Sequence, residues 1–389
     1  MKLEIFNHAN RTRNDIIRTY TYVQYTEQFN DVGNFILRVP WTDESILFIQ
    51  YNNYILFDDG IMGVIRAISI TEEEGNELEI SGYLLNGMLS KRSFLLTTSY
   101  YDTISNIARS MVTDLVINPE NIERRIKFIK LSTDSKYNPT FTNKIRVQNT
   151  GDKLNEVIQE MFITENLGYK LYPNIKNYNQ STGEGYNFES ADFRIIKPAD
   201  RSNGNTEGNE PVVFSFELNN LQKLFYAEDG TDYNTIAIVA SEGVGTSRKI
   251  ITVGDETFTG ELRDELYVDA RDLQSEDSDG NKITDEQLEE LMIQRGNEKL
   301  EEHQKFISLT ATVITQETNF EYGKDFFLGD FVTVMSKTLN REFKLQITEA
   351  IKTISEGVEH LDFSFGYDKV QVTKLFKGGK DYVRNKWVF

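Results

Sequence analysis

The sequence predicts a mainly β protein with α/β inserts, built as two related antiparallel β-barrels, one towards each end of the chain. The C-terminal run Phe326-Phe327-Leu328-Gly329-Asp330 reads as a Gly-Asp turn opening a strand over 331–334. Residues 344–350 and 361–365 then read as a strand pair joined by a loop at Glu356-Gly357. An echo lies near the N-terminus, where Asp58-Asp59-Gly60 precedes a strand over 64–70, a loop at Glu74-Gly75 and a strand over 78–83. Aromatic residues make up 12% of the chain, with 25 Phe and 19 Tyr. Such side chains suit a half-buried pleated surface.

Residues 1–93 form the first predicted barrel. Leu78, Ile80, Gly82 and Leu84 alternate with Glu77, Glu79 and Ser81, and Phe35, Leu37 and Val39 alternate up to Pro40. A period of two marks strands with one wet face. The charged loop 72–76 joins two strands in a hairpin longer than the two-residue kind. From 94 to 205 the period changes, which predicts an α/β insert. Ile104, Ile107, Ala108, Met111 and Leu115 share a helical face, with Asp102 placed to cap it. Leu154, Val157, Ile158 and Met161 form a second stripe, with Gly168 as a left-handed stop. Strand-like segments at 126–131 and 144–148 lie between the two stripes.

The polar stretch 201–209 reads as a surface loop or linker. A β-rich connecting domain over 206–305 follows, with strands at 212–217 and 234–240. Its long helix near 285–305 opens on Thr284 and Gln287 at capping-box spacing and is interrupted by Gly296. Residues 306–366 hold the strands of the second barrel, and 367–389 form a tail that is basic for so acidic a chain.

The net charge is −19, from 61 acids against 42 bases. This opposes a surface that grips nucleic acid, which needs basic side chains to displace counterions. With no cysteine, disulfides, zinc–thiolate sites and thiol nucleophiles are excluded. The polar start lacks a signal-peptide core, and no run approaches the roughly 20 apolar residues of a spanning helix. The expectation is a soluble protein made in a cytoplasm, with no membrane insertion.

Catalysis by histidine would have to use His8, His303 or His360, and none sits in a local metal-ligand pattern. No Gly-x-Ser-x-Gly elbow supports a triad. Gly243, Gly245 and Ser247 suggest a dinucleotide loop only briefly, because the third glycine and a following helical stripe are missing. The sharpest metal candidate is a calcium loop with Gly280 in its sixth position, which puts Asp277, Asp279 and Glu286 on ligand positions. Ser275 in first place and Lys282 where an apolar residue belongs argue against it. The reading is therefore of no catalytic residue, no cofactor and no metal.

Taken together, several motifs resemble the tail hub proteins of siphophages and prophages, including the N-terminal hub part of tail-associated lysins. They are Arg11-Thr12-Arg13-Asn14-Asp15 with Gly33-Asn34-Phe35, and Gly82-Tyr83-Leu84-Leu85 with Arg92. Further on come Thr235 to Gly243 followed by Arg248, Tyr267-Val268-Asp269-Ala270-Arg271-Asp272, and the Leu328-Gly329-Asp330 turn with Phe365-Gly366. The resemblance implies two tail-tube-like barrels and a homotrimer whose six barrels surround a channel. DNA would pass through that channel without specific binding. It also implies a place in the virion, at the phage tail tip or baseplate, and a role in DNA ejection. Its implied partners are the tail tube protein, the distal tail protein, the tape measure protein and tip or fibre proteins. The sequence stops shortly after the last predicted barrel, so no peptidase or muramidase domain is expected and a structural, non-enzymatic hub is the first reading. A tail-associated cell-wall hydrolase or its vestige, and a carbohydrate-binding adhesin, are the alternatives.

Overall fold

Alternating residues set the first strands, and the order in which the strands pair sets everything else. The structure is a computed structural model describing residues 1–41, 48–71, 77–176, 186–243, 245, 248–273, 283–304, 306–313 and 320–365. The N-terminal strands are β1 (Leu3–Phe6), β2 (Arg13–Ile17), β3 (Tyr22–Gln28), β4 (Asn34–Pro40), β5 (Tyr54–Leu56), β6 (Met62–Thr71) and β7 (Glu77–Leu84). Phe35, Leu37 and Val39 of β4 and Leu78 and Ile80 of β7 turn inward, as their alternation requires. With Leu3, Ile5, Val23, Tyr25 and Phe57 they form a core in which Tyr25 and Phe35 pack on the Phe57 ring.

The insert contributes β8 (Thr98–Thr103), α1 (Ile104–Val112), β9 (Ile129–Leu131), β10 (Lys144–Asn149), α2 (Leu154–Ile163), β11 (Gly168–Lys176) and β12 (Asn187–Ile196). Both predicted helical stripes are helices, and their apolar faces are buried. Each large side chain buried there stabilises the fold by about 1.5–3 kcal/mol. Their core also takes in Phe6, Tyr54, Met62 and Val64 of the first β-unit, so insert and unit share apolar contacts.

Two local expectations are corrected. Thr103, not Asp102, is the N-cap of α1, and the Asp102 carboxylate instead accepts the Thr103 N–H at 2.8 Å. The left-handed residue after α2 is Asn166, at φ 51°. Gly168 opens β11, where a Cβ would lie 2.4 Å from the Phe29 ring.

The remaining strands are β13 (Val213–Phe214), β14 (Leu221–Asp229), β15 (Ile236–Ala240), β16 (Ile250–Gly254), β17 (Glu265–Asp269), β18 (Phe306–Val313), β19 (Phe331–Ser336), β20 (Arg341–Ser355) and β21 (Val358–Phe365). The long helix α3 (Asp285–Glu302) is continuous and carries the complete Thr284–Gln287 capping box. Gly296 does not break it. A Cβ there would meet Val253 and Val239 within 2.9 Å, so the glycine lets α3 lie close on the sheet of β16, β15 and β17. The stretch 201–209 is not a bare linker: Asn205 Nδ2 donates to the Ser202 and Asn209 carbonyls, and Asn209 Nδ2 to that of Asp200, each at 2.9 Å.

The largest sheet runs β14-β18-β21-β20-β3-β4-β7-β6-β5-β1-β2, with β19 on β20 and β13 on β19. Within it, β3-β4-β7-β6 and β14-β18-β21-β20 have the same order and the same antiparallel pairing. The duplication behind the sequence echo is thus present in the strand order, and the second unit has its own core around Phe214, Phe326, Phe363 and Phe365. The expected separation is not present. Strand β20 pairs with β3, so the end regions share one sheet, and neither unit closes into a barrel among the described residues. Alternation specifies which face of a strand is wet. It does not specify which edge finds a partner.

Candidate assembly interface

Strand β20 serves two neighbours on one side. Its first half, Arg341 to Gln346, pairs with β19, and its second half, Glu349 to Ser355, pairs with β3. Charged side chains gather where the units meet. Buried Glu27 of β3 receives the Lys170 ammonium of the insert at 2.5 Å and the Tyr322 hydroxyl of the second unit at 3.4 Å. Burial, and then the Glu27 charge, raise the Tyr322 hydroxyl well above its usual pKa, so it stays a donor. Asp59, from the first Gly-bearing turn, accepts the Tyr25 hydroxyl and lies 3.5 Å from Lys352 of β20.

The Leu328-Gly329-Asp330 turn is a second tie. Asp330, only 5% exposed, accepts the Ala199 N–H and Arg201 Nε at 2.9 Å and the Phe327 N–H at 3.1 Å. It thereby fixes the end of the insert to the start of β19. Gly329 is left-handed at φ 98°, and a Cβ would fall 2.2 Å from the Phe29 ring. Gly60, its counterpart in the echo, is also left-handed at φ 86° but has open space around it up to the Tyr172 hydroxyl at 3.9 Å.

Among the edges of the sheet without a described strand, two expose apolar residues. Strand β14 ends the strand order, and β5 covers only Met62 to Val64 of β6, leaving Ala67 to Thr71 uncovered on that side. Ile68 and Ile70 are 39% and 48% exposed there, and Phe225 of β14 is 47% exposed. An apolar open edge is a template for another chain.

The sequence-nominated chemistry is dispersed. His8 is exposed beside Asn53, the His303 ring lies 3.0 Å from the Asp232 carbonyl at the end of α3, and His360 is exposed on β21. Asp277 and Asp279 lie outside the described residues. Glu286 is exposed in the first turn of α3, its pKa lowered by the backbone N–H there and by Thr284. Among the described residues no group of three or more His, Asp or Glu side chains is placed to hold a metal ion. A cleft of about 330 Å³ between the insert and α3 is lined by Asn143, Glu165, Gln294, Asn297 and Glu301 among others.

Two clusters were not anticipated as such. Arg248 donates to the Ser241 and Ala240 carbonyls, to Asp269 and to the Tyr267 hydroxyl, bringing together residues from two of the quoted motifs. On α3, Glu298 is buried against the insert with Arg295, Lys299 and Glu160 around it. Its spacing of seven from Leu291 is the signal that places it on the buried stripe.

Joined β-units of one strand order with an α/β insert make up the fold, and solved phage tail proteins share it. A tail protein from Neisseria meningitidis MC58 matches with a TM-score of 0.53 at 12% identity, over 94% of this chain and 96% of that one. The 43 kDa tail protein of prophage MuSo2 from Shewanella oneidensis matches with a TM-score of 0.54 at 12% identity, over 94% and 98%. No curated protein matches in sequence. The chain belongs to the Siphovirus ReqiPepy6 Gp37-like protein family, whose sequence model matches residues 2–367.

Proposed function

We propose that this phage tail protein is the structural hub of the tail tip or baseplate. In this reading it is a homotrimer that adapts the tail tube and distal tail protein to tip or fibre proteins, in contact with the tape measure protein. One observation carries the reading: two β-units of identical strand order stand edge to edge in one chain at the β3–β20 junction. Three copies supply six such units, the number a six-fold tube requires, and the reading keeps the segments 1–93, 94–205, 206–305 and 306–366 as its parts.

The protein works in the virion tail and acts by shape, not by turnover. DNA passes through the ring without specific binding, because an acidic chain displaces few counterions from phosphates. Acidic residues face the channel; the basic tail 367–389 lies outside the described residues. No described helix is long and apolar enough to cross a membrane. Imaging of native tail tips, with copy number from mass, tests the proposal. Three copies per ring around an acidic lumen is the expected result. Two or six copies, or a basic lumen, overturns it.

A further inference from the structure

The cleft between the insert and α3 combines an apolar lining with unengaged polar groups. Phe141 and Ile145 are partly buried against the insert core and, with buried Ile104, supply the apolar part. Buried Ser105 donates through Oγ to the Pro139 carbonyl at 2.7 Å, which ties down the chain leading to Phe141. Gln294, Asn297 and Glu301 follow one another at spacings of three and four on α3, so their side chains share one face of the helix. Asn143, just before β10, and Glu165, just past α2, bring further polar groups from the insert. The volume of about 330 Å³ lies at the lower end of the range for small-molecule sites.

The polar groups are available to a ligand. Among the described residues, the side chains of Asn143, Glu165, Asn297 and Glu301 make no hydrogen bond or ion pair. The cations that flank them in sequence are already engaged. Lys144 lies 3.9 Å from Asp102, Arg295 lies 3.1 Å from Asp272 and Lys299 lies 2.7 Å from Glu302. Two carboxylates therefore line the cleft with no cation among its lining residues. Burial raises the Glu301 carboxyl above its ordinary pKa.

This set of groups discriminates between ligand classes. Carboxylates only accept hydrogen bonds, whereas amides both accept and donate. An anion would meet two like charges. A simple ammonium group would satisfy the carboxylates but leave the amides and the apolar lining without a role. A sugar ring offers hydroxyls to both kinds of polar group and a C–H face to Phe141, Ile104 and Ile145. We propose that this cleft binds an uncharged saccharide, held between Asn297 and Glu301 of α3 and Asn143 and Glu165 of the insert. The site is independent of the hub reading, which needs no ligand.

Saturation-transfer NMR on the full chain tests the proposal, with glucose, galactose, mannose, rhamnose and N-acetylglucosamine as the probes. The expected result is transfer to at least one of these sugars, unchanged by added salt. Asn297→Ala and Glu165→Ala are each expected to weaken that binding roughly tenfold. Both side chains are exposed, so both variants should melt with the wild type. Glu261→Ala removes an exposed carboxylate that does not line the cleft and should bind as the wild type does. Transfer to none of these sugars overturns the proposal, as does binding that survives both cleft substitutions. Salt-sensitive binding of n-butylammonium without binding of any sugar assigns the cleft to a cationic partner and overturns it as well.

Discussion

Replacing Glu298 by glutamine isolates the buried charge between α3 and the insert. The carboxylate is 8% exposed, accepts the Gln294 amide at 2.9 Å and lies 3.8 Å from Arg295. Burial raises its pKa from 4.5 to about 7, against smaller opposing pulls from Gln294 and Arg295. The folded chain therefore retains a proton that the unfolded chain releases between those values. The associated stability is present below 4.5 and lost as pH rises through about 7. At about 1.36 kcal/mol per pKa unit the loss is on the order of 3 kcal/mol. Glutamine keeps an acceptor for Gln294 and cannot ionise. Urea unfolding followed by circular dichroism, for wild type and E298Q from acid to about pH 8, is the assay. The variant should gain on the wild type by roughly 3 kcal/mol across that range. Parallel curves would refute the assignment of a protonated, buried Glu298.

The paired glycine turns make a second test. Gly329→Ala adds a collision with Phe29 to a left-handed backbone and should cost roughly 2–5 kcal/mol, while Gly60→Ala carries only the backbone penalty of about 1–2 kcal/mol; equal melting losses would contradict the Phe29 contact. Asp330→Ala leaves Arg201 and two backbone N–H groups without their acceptor and should cost about 3–5 kcal/mol in denaturant titrations. His8→Ala, His303→Ala and His360→Ala should each leave tail assembly unchanged, and the pure protein should release no peptidoglycan in a zymogram. Release abolished by one substitution would revive the hydrolase reading.

Much of the local structure was legible because its signals are local. The alternation in β4 and β7, the stripes of α1 and α2 and the Thr284–Gln287 box depend on residues a few positions apart. What escaped depends on distant partners. Strand β14 carries Gln222 and Lys223 early on, so its alternation is weak, and it is held by pairing with β18. The stretch 201–209 has the composition of a linker, yet Asn205, Asn209 and the remote Asp330 order it and its flank. Gly168 looks like a helix stop because the Phe29 ring that requires it lies far away in sequence. The same limit applies to function. The motifs at Arg248 and Tyr267 to Asp272 could be quoted, but the single hydrogen-bonded cluster they form becomes visible only when β17 lies parallel to β15.

Strand β20 has a mechanical consequence. Because β20 of the second unit pairs with β3 of the first, the units cannot swing as separate bodies without shearing the backbone pairs from Glu349–Gln28 to Ser355–Tyr22. Hinges form where a few loop residues absorb the change in backbone angle, and this joint offers no such loop. Load applied to one unit therefore passes through the row of backbone hydrogen bonds into the next, and the joint behaves as a beam. Any widening or narrowing of a structure built from such chains has to be delivered by what is attached to the beam, not by bending within it.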